Sequence, residues 1–274
     1  MQTSTKRLQI SGYDTQSFTF APDGEVRAGA VIIHGQGDFI ERYYSVAEIF
    51  CQYGIAVVGI DLPGHGEASG TRGDIPSLEV VDQFIDVAHD LLLEQNSSDT
   101  IGILGHSVGA LLGMRELLNQ KRNYQFAWLN GPFLFPEQRK SKTQLLAFRA
   151  LAKILPSLTI STGVKRDDCR KRAGANRDPL FHSSISLRWG LELIHIAESV
   201  RSAAQETRLD TSVLITQGGS DAVSPTELNT AFFQELEWAE LNYKVITDAL
   251  HETFLDKPEG FTAILKEWCQ QLSL

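Results

Sequence analysis

The chain has 274 residues and carries 25 Lys and Arg against 34 Asp and Glu, a formal net charge of -9. Apolar residues make up 42% and charged residues 22%, which supplies a sizeable core and excludes global disorder. The acidic balance excludes a nucleic-acid binder built on a broad basic face.

The opening residues, Met1 to Gln16, have no apolar stretch after their two basic residues, so no secretory leader is expected. Short strands are expected first, including Gln16 to Phe20 with its polar and apolar alternation. Ala28 to Ile33 reads as a buried strand feeding the glycine turn at His34-Gly35. A helix is expected over Tyr44 to Tyr53. A second buried strand, Ile55 to Ile60, stops at Asp61-Leu62-Pro63-Gly64. Leu78, Val81, Ile85, Ala88 and Leu92 recur at helical steps, with Asp82, Asp86 and Asp90 on the opposite side. Ile101 to Leu104, Val213 to Thr216 and Tyr243 to Ile246 are further strands. A closing helix shows Phe261, Ile264, Leu265, Trp268 and Leu272 on one face.

Strands alternating with helices predict an α/β fold, a mostly parallel central sheet flanked by helices. Residues 132–205 break the rhythm. They read as a mainly helical insertion with no convincing strand, a cap over the sheet. The predicted division is a core of 1–131 and 206–274 and a cap of 132–205. The cap holds 13 Lys and Arg against 6 Asp and Glu, a charge of +7, which leaves -16 on the core.

Gly105-His106-Ser107-Val108-Gly109 follows the strand Ile101 to Leu104 and precedes a helical pattern at Leu111, Leu112, Arg115 and Leu118. A G-x-S-x-G in that context is a nucleophile elbow. The turn projects the serine off the sheet, and the helix start sets backbone N–H groups where an oxyanion would form. The bland alternative is a structural glycine turn. A serine nucleophile needs a base and an orienting acid, expected in the order Ser, Asp, His. Asp221, in Gly218-Gly219-Ser220-Asp221, and His251, in Leu250-His251-Glu252, each follow a predicted strand. A turn aspartate and a surface histidine are the alternatives. Glu252 is a substitute acid in principle, but a neighbour in sequence orients the His251 ring poorly. The loop His34-Gly35-Gln36-Gly37 can offer the Gln36 N–H as an oxyanion donor alongside that of Val108. The rings of His34 and His106 read as structural.

His65, His89, His182 and His195 show no ligand spacing, and no HExxH, Walker A or GxGxxG occurs. No metal and no cofactor are expected. Cys51, Cys169 and Cys269 are far apart, without a CxxC pair, and read as reduced thiols. No run approaches the roughly 18 apolar residues of a membrane span. The expected location is therefore cytoplasmic, and the sequon Asn96-Ser97-Ser98 then carries no meaning.

Several motifs stand in order: His34-Gly35-Gln36-Gly37 with Glu41-Arg42-Tyr43, Asp61-Leu62-Pro63-Gly64-His65-Gly66, Gly70-Thr71-Arg72-Gly73, the elbow, and Leu250-His251-Glu252. Together they resemble the monoacylglycerol lipase and lysophospholipase group of α/β-hydrolases, described as serine aminopeptidase S33-like. Arg177-Asp178-Pro179-Leu180 and Arg188-Trp189 are similar to that family's cap. The resemblance spans roughly residues 26 to 270. It implies the α/β-hydrolase fold, Ser107 as nucleophile, Asp221 as acid, His251 as base, and oxyanion N–H groups at Gln36 and Val108. One departure is Ala68, where the family usually has serine; here the serine, Ser69, comes one place later.

The expected function is hydrolysis of a single-chain lipid ester, a monoacylglycerol or lysophospholipid, through an acyl-enzyme. Leu145, Phe148 and Leu151, with Leu146, Ile154 and Leu155, are candidates for an acyl channel. Lys140, Lys142, Arg149 and Lys153 share that segment, which suits peripheral contact with an anionic membrane. The alternative packs the stripe on the core and sets the basic residues against an acidic rim. Rival functions are a general carboxylesterase or thioesterase, a peptidase, and a non-catalytic ligand binder on the same fold.

Overall fold

The computed structural model describes residues 1–95, 98–139, 141–171 and 179–272. Asn96, Ser97, Lys140, Arg177 and Asp178, named above, lie outside the described residues, as does the side chain of Lys142.

Ten strands and nine α-helices are described. In chain order they are β1 (Gln2–Ile10), β2 (Tyr13–Ala21), β3 (Ala28–Ile33), α1 (Tyr44–Gln52), β4 (Ile55–Ile60), α2 (Leu78–Gln95), β5 (Ile101–His106), α3 (Val108–Asn119) and β6 (Phe126–Asn130). Then come α4 (Lys142–Ala152), β7 (Thr159–Ser161), α5 (Arg166–Cys169), β8 (Ser184–Ser186), α6 (Leu187–Glu206), β9 (Ser212–Gly218), α7 (Thr226–Gln234), β10 (Leu241–Ile246), α8 (Thr253–Asp256) and α9 (Pro258–Gln271).

The main sheet has the order β1-β2-β4-β3-β5-β6-β9-β10. β1 pairs antiparallel with β2, and β2 antiparallel with β4. Every pair from β4 onward is parallel. Parallel strands need crossovers, and these put α2, α3 and α6 on one face and α1 and α9 on the other. The two-residue period sorts the side chains. Val31 and Ile33 of β3 join the first layer, while Ala28, Ala30 and Ile32 join the second. Strands covered on both faces read as unbroken apolar runs, which is why β3 and β4 were visible in the sequence with their full bounds.

Three expectations need correction. The first strands are not short: β1 and β2 form a hairpin of nine residues each. β1 is exposed along most of its length, so it carries no alternation. β6 was passed over, because five buried residues before Gly131-Pro132 give too short a run to stand out. The insertion contains a sheet after all, β7 paired antiparallel with β8. Each strand has three residues, too few to set a period.

The later part of the insertion packs into the body of the protein. Trp189, Leu193, Ile196, Ala197, Val200 and Ala204 of α6 are buried in the same apolar layer as α2 and α3. Ser69 takes up local work beside Ala68. Its N–H donates to Asp14 O and its hydroxyl accepts from Asp14 N. No helix among the described residues is long and apolar enough to cross a membrane.

Candidate active site

The strand order reverses direction around β3. The chain goes from β3 outward to β4 on one side and returns to β5 on the other. Loops leaving the carboxyl ends of β3 and β5 therefore diverge, and the crevice between them is where ligands bind in such sheets. The β3 loop carries Gln36, and β5 ends at the elbow of Ser107.

Ser107 has φ 56° and ψ -115°, a conformation that costs a non-glycine residue about 1–3 kcal/mol. The surroundings enforce it. Ser107 N donates to Asn130 O (2.8 Å), and Ser107 O accepts from Leu111 N (3.0 Å) and Phe133 N (3.2 Å). A β-carbon on Gly109 would lie 2.0 Å from Ile33 O, so only glycine lets α3 start this close to β3. The N–H groups of Gln36 and Val108 donate to no protein acceptor among the described residues. Both residues line the same cavity as Ser107.

Asp221 and His251 also meet. His251 Nδ1 lies 2.7 Å from Asp221 Oδ2, and both side chains are almost wholly buried. Asp221 Oδ1 accepts from Val223 N (2.8 Å) and Ser224 N (2.9 Å), and Oδ2 also accepts from Gln217 Nε2 (2.8 Å). Four donors on one carboxylate fix its orientation and stabilise its charge. The carboxylate then assigns the His251 proton to Nδ1. Among the described residues His251 Nε2 is buried without a hydrogen-bond partner, so it can accept. His251 lines the cavity with Ser107.

His106 and His34 are taken up structurally. His106 Nδ1 faces Asn130 Nδ2 at 2.8 Å and therefore accepts. Burial, then the neighbouring His251, pushes the His106 pKa well down. The same Asn130 Nδ2 donates to His251 O (3.0 Å), which ties the elbow to the histidine loop. His34 Nε2 accepts from Leu62 N (2.9 Å).

The cavity lining is mixed. Val108, Phe133, Leu145, Phe148, Leu193 and Ile194 are apolar, whereas Asp38, Cys169, His182 and Glu252 are polar. Leu145 and Phe148 thus face the cavity, but Leu151 lies outside its lining and is 40% exposed. The segment around β8 is fastened to the β3 loop. Gln36 Nε2 donates to Ser184 O (2.8 Å), Trp189 Nε1 donates to Gln36 Oε1 (3.0 Å), and His182 N donates to Gly37 O (3.0 Å). At Gly37 a β-carbon would lie 1.8 Å from His182 O. Arg188 and Asp74 add a two-pronged ion pair at 2.8 and 2.6 Å.

Sequence reasoning missed this Gln36 side-chain bridge, and it missed the partner of Glu252. Glu252 bonds not His251 but Arg42, at 2.7 Å. Arg42 was in a quoted motif, yet nothing in a linear sequence pairs positions 210 apart. No group of three or more metal-ligating side chains occurs among the described residues.

The family model described as "Serine aminopeptidase, S33" matches residues 24–258. The chain belongs to this family, Hydrolase_4. Phospholipase YtpA of Bacillus subtilis is 28% identical over 250 residues, 85% of this chain and 93% of that protein. A monoacylglycerol lipase of Mycolicibacterium smegmatis is 25% identical over 248 residues, 88% of this chain and 86% of that one. The crystal structure of the Paleococcus ferrophilus monoacylglycerol lipase superposes with a TM-score of 0.80 at 24% identity, covering 99% of this chain and 100% of that chain. The fold is the α/β-hydrolase fold, and the Hydrolase_4 chain is an enzyme of the carboxylic ester hydrolase class.

Proposed function

We propose that the chain hydrolyses the carboxylic ester of a monoacylglycerol through an acyl-enzyme. The observation that carries this reading is the Asp221–His251 pair. Its outer nitrogen is unpartnered in the cavity that also holds Ser107. Ser107 Oγ attacks the acyl carbonyl while His251 Nε2 takes its proton. Asp221 keeps the other ring proton on Nδ1 and stabilises the imidazolium. The Gln36 and Val108 N–H groups bind the oxyanion, each worth about 3–4 kcal/mol in such sites. His251 then protonates the leaving alcohol, and water repeats the cycle to release the fatty acid.

The cavity walls favour a neutral head group. The apolar lining residues suit an acyl chain, and the polar ones include Asp38 and Glu252, with no Lys or Arg among the described residues of the lining. A phosphate there would meet two carboxylates already engaged by Arg42, and no Lys or Arg among the described lining residues. Neither carboxylate is free to grip a peptide amine, since Arg42 bonds both. YtpA is named a phospholipase and the M. smegmatis relative a monoacylglycerol lipase, and the cavity supports the second name here. Residues 132–205 act as the cap in this reading. On their outer side Leu146 and Ile154 are 69% and 75% exposed, with Leu151, Leu155 and Leu158 also exposed beside Arg149 and Lys153. Such a patch supports peripheral binding to an anionic lipid surface.

A hydrolysis panel of monoacylglycerols, lysophospholipids, acyl-CoAs and aminoacyl amides tests the substrate. The proposal requires the highest kcat/KM on a monoacylglycerol; a lysophospholipid preferred tenfold or more refutes the head-group reading. Flotation with anionic vesicles at low salt tests the patch. Wild type should float and a Leu146→Glu, Ile154→Glu variant should not, whereas wild type that stays with the pellet removes the membrane argument.

A further inference from the structure

We propose that the buried ion cluster of Asp38, Arg42, Glu252 and Arg170 is a positioning device, which locks the His251 loop to the oxyanion loop and to the cap. This rests on the serine-hydrolase reading above. The four side chains are 4%, 6%, 3% and 7% exposed in turn. Arg42 reaches Asp38 with one Nη (2.5 Å) and Glu252 with the other (2.7 Å). Arg170 Nε lies 3.8 Å from the same Glu252 oxygen.

Each end of the cluster touches the machinery through the backbone. Tyr43 Oη donates to Asp38 (2.6 Å) and accepts from Gly35 N (3.4 Å), the residue before the proposed donor Gln36. At the other end Glu252 follows His251 directly, and its N–H donates to Cys169 O in the cap (2.9 Å). Asp256 repeats the link, accepting Leu250 N (2.9 Å) on one oxygen and Lys171 N of the cap (2.6 Å) on the other. The Arg42 guanidinium also covers the Phe181 ring of the cap at 5.3 Å. The oxyanion loop, the histidine loop and the cap therefore converge on one guanidinium.

Asp38 and Arg42 hold their charges. Burial, the largest influence, would raise the Asp38 carboxyl, but Arg42, His106, the Tyr43 hydroxyl and His34 together outweigh it and the net direction is down. Burial opposes the charge on Arg42, and Asp38 and Glu252 overcome it. Four buried charges are a poor way to gain stability compared with apolar packing, and geometric specificity is their best-attested return. None of the four bonds Ser107 or the His251 ring, so their role is to position rather than to react.

The test compares Glu252→Gln, Arg42→Gln and the double variant on a soluble short-chain p-nitrophenyl ester, with thermal unfolding in parallel. Each single change should lower kcat about 10- to 100-fold with KM within twofold, as a misplacement of the order of 1 Å does. The double variant should lose no more than the worse single one, because both break one unit. Arg42→Lys, which keeps the charge but not the fork, should restore part of kcat and serves if the Gln variants do not fold. Variants that fold with kcat within twofold of wild type, and only a lower Tm, would show a merely structural cluster. Labelling of wild type by a fluorophosphonate separates the two readings. Wild type labelled at Ser107 with indifferent variants defeats this inference alone, and wild type unlabelled defeats the hydrolase reading first.

Discussion

Replacing Asp221 by asparagine changes one atom, and the surrounding bonds dictate the outcome. Oδ1 faces two backbone donors, Val223 N and Ser224 N. The asparagine must keep its carbonyl oxygen there, because an amide N–H at that place would oppose both. Its NH2 then takes the Oδ2 place, against His251 Nδ1. Gln217 cannot relieve the clash by turning over, because its own oxygen accepts from Asn229 Nδ2 at 2.9 Å. His251 must therefore accept on Nδ1 and carry its proton on Nε2, the tautomer that cannot take a proton from Ser107. The comparable change in a Ser-His-Asp triad lowers kcat about 10⁴-fold, or about 5 kcal/mol of barrier. Stability should fall by about 1–3 kcal/mol from the lost charged hydrogen bonds. Steady-state hydrolysis of p-nitrophenyl butyrate at pH 7.5, with circular dichroism to verify folding, reads both. Asp221→Asn retaining a tenth or more of wild-type kcat would refute the reasoning and shift the orienting role to another acid.

Three further outcomes follow from the structure. Gly109→Ala forces a β-carbon to within 2.0 Å of Ile33 O, so α3 must withdraw from β3; kcat should fall at least about 100-fold, and an unchanged kcat would show that the elbow tolerates the shift. Leu145→Trp fills the apolar wall, so kcat/KM on a dodecanoyl ester should fall about tenfold relative to the butyryl ester; equal losses on both would remove Leu145 from the acyl wall. Burial holds His89, which meets Tyr124 Oη at 2.8 Å, down to about 3. The unfolded chain binds that proton near pH 6.5, so this contribution to stability is intact above pH 6.5 and is lost as pH falls from there toward 3, by up to about 1.4 kcal/mol per pH unit. Urea midpoints between pH 4.5 and 7.5 should show a shallower slope in His89→Gln, and an identical slope would contradict the assignment.

The parts of the fold legible in the sequence were those whose burial leaves a period or an unbroken run. Ile55 to Ile60 is buried on both faces and ends at Pro63, so its bounds could be read. The elbow and Asp221 were legible because each stands just after such a run, whereas His251 follows the partly exposed β10 and was legible from the expected order Ser, Asp, His. An apolar stripe at helical spacing looks alike whether it faces a substrate channel or the body of the protein, and most of the apolar stripe of α6, inside the predicted cap, faces the body. Leu151 shared the stripe of Leu145 and Phe148 yet turns outward, since two three-residue steps each fall short of a full turn and carry it about 120° around α4 from Leu145. β7 and β8 make sense only as a pair, and Arg42, Glu252 and the Gln36 bridge to Trp189 only in three dimensions. Polar pairings across long separations have no linear signature.

The central claim is that Ser107 is the nucleophile of an acyl-enzyme cycle. The most direct measurement is intact mass and peptide mapping after exposure to a fluorophosphonate, on wild type and Ser107→Ala. The account predicts one adduct on Ser107 in wild type, loss of ester turnover in step with labelling, and no adduct in Ser107→Ala. An adduct on another residue, or Ser107→Ala protein that hydrolyses the ester near the wild-type rate, would contradict it.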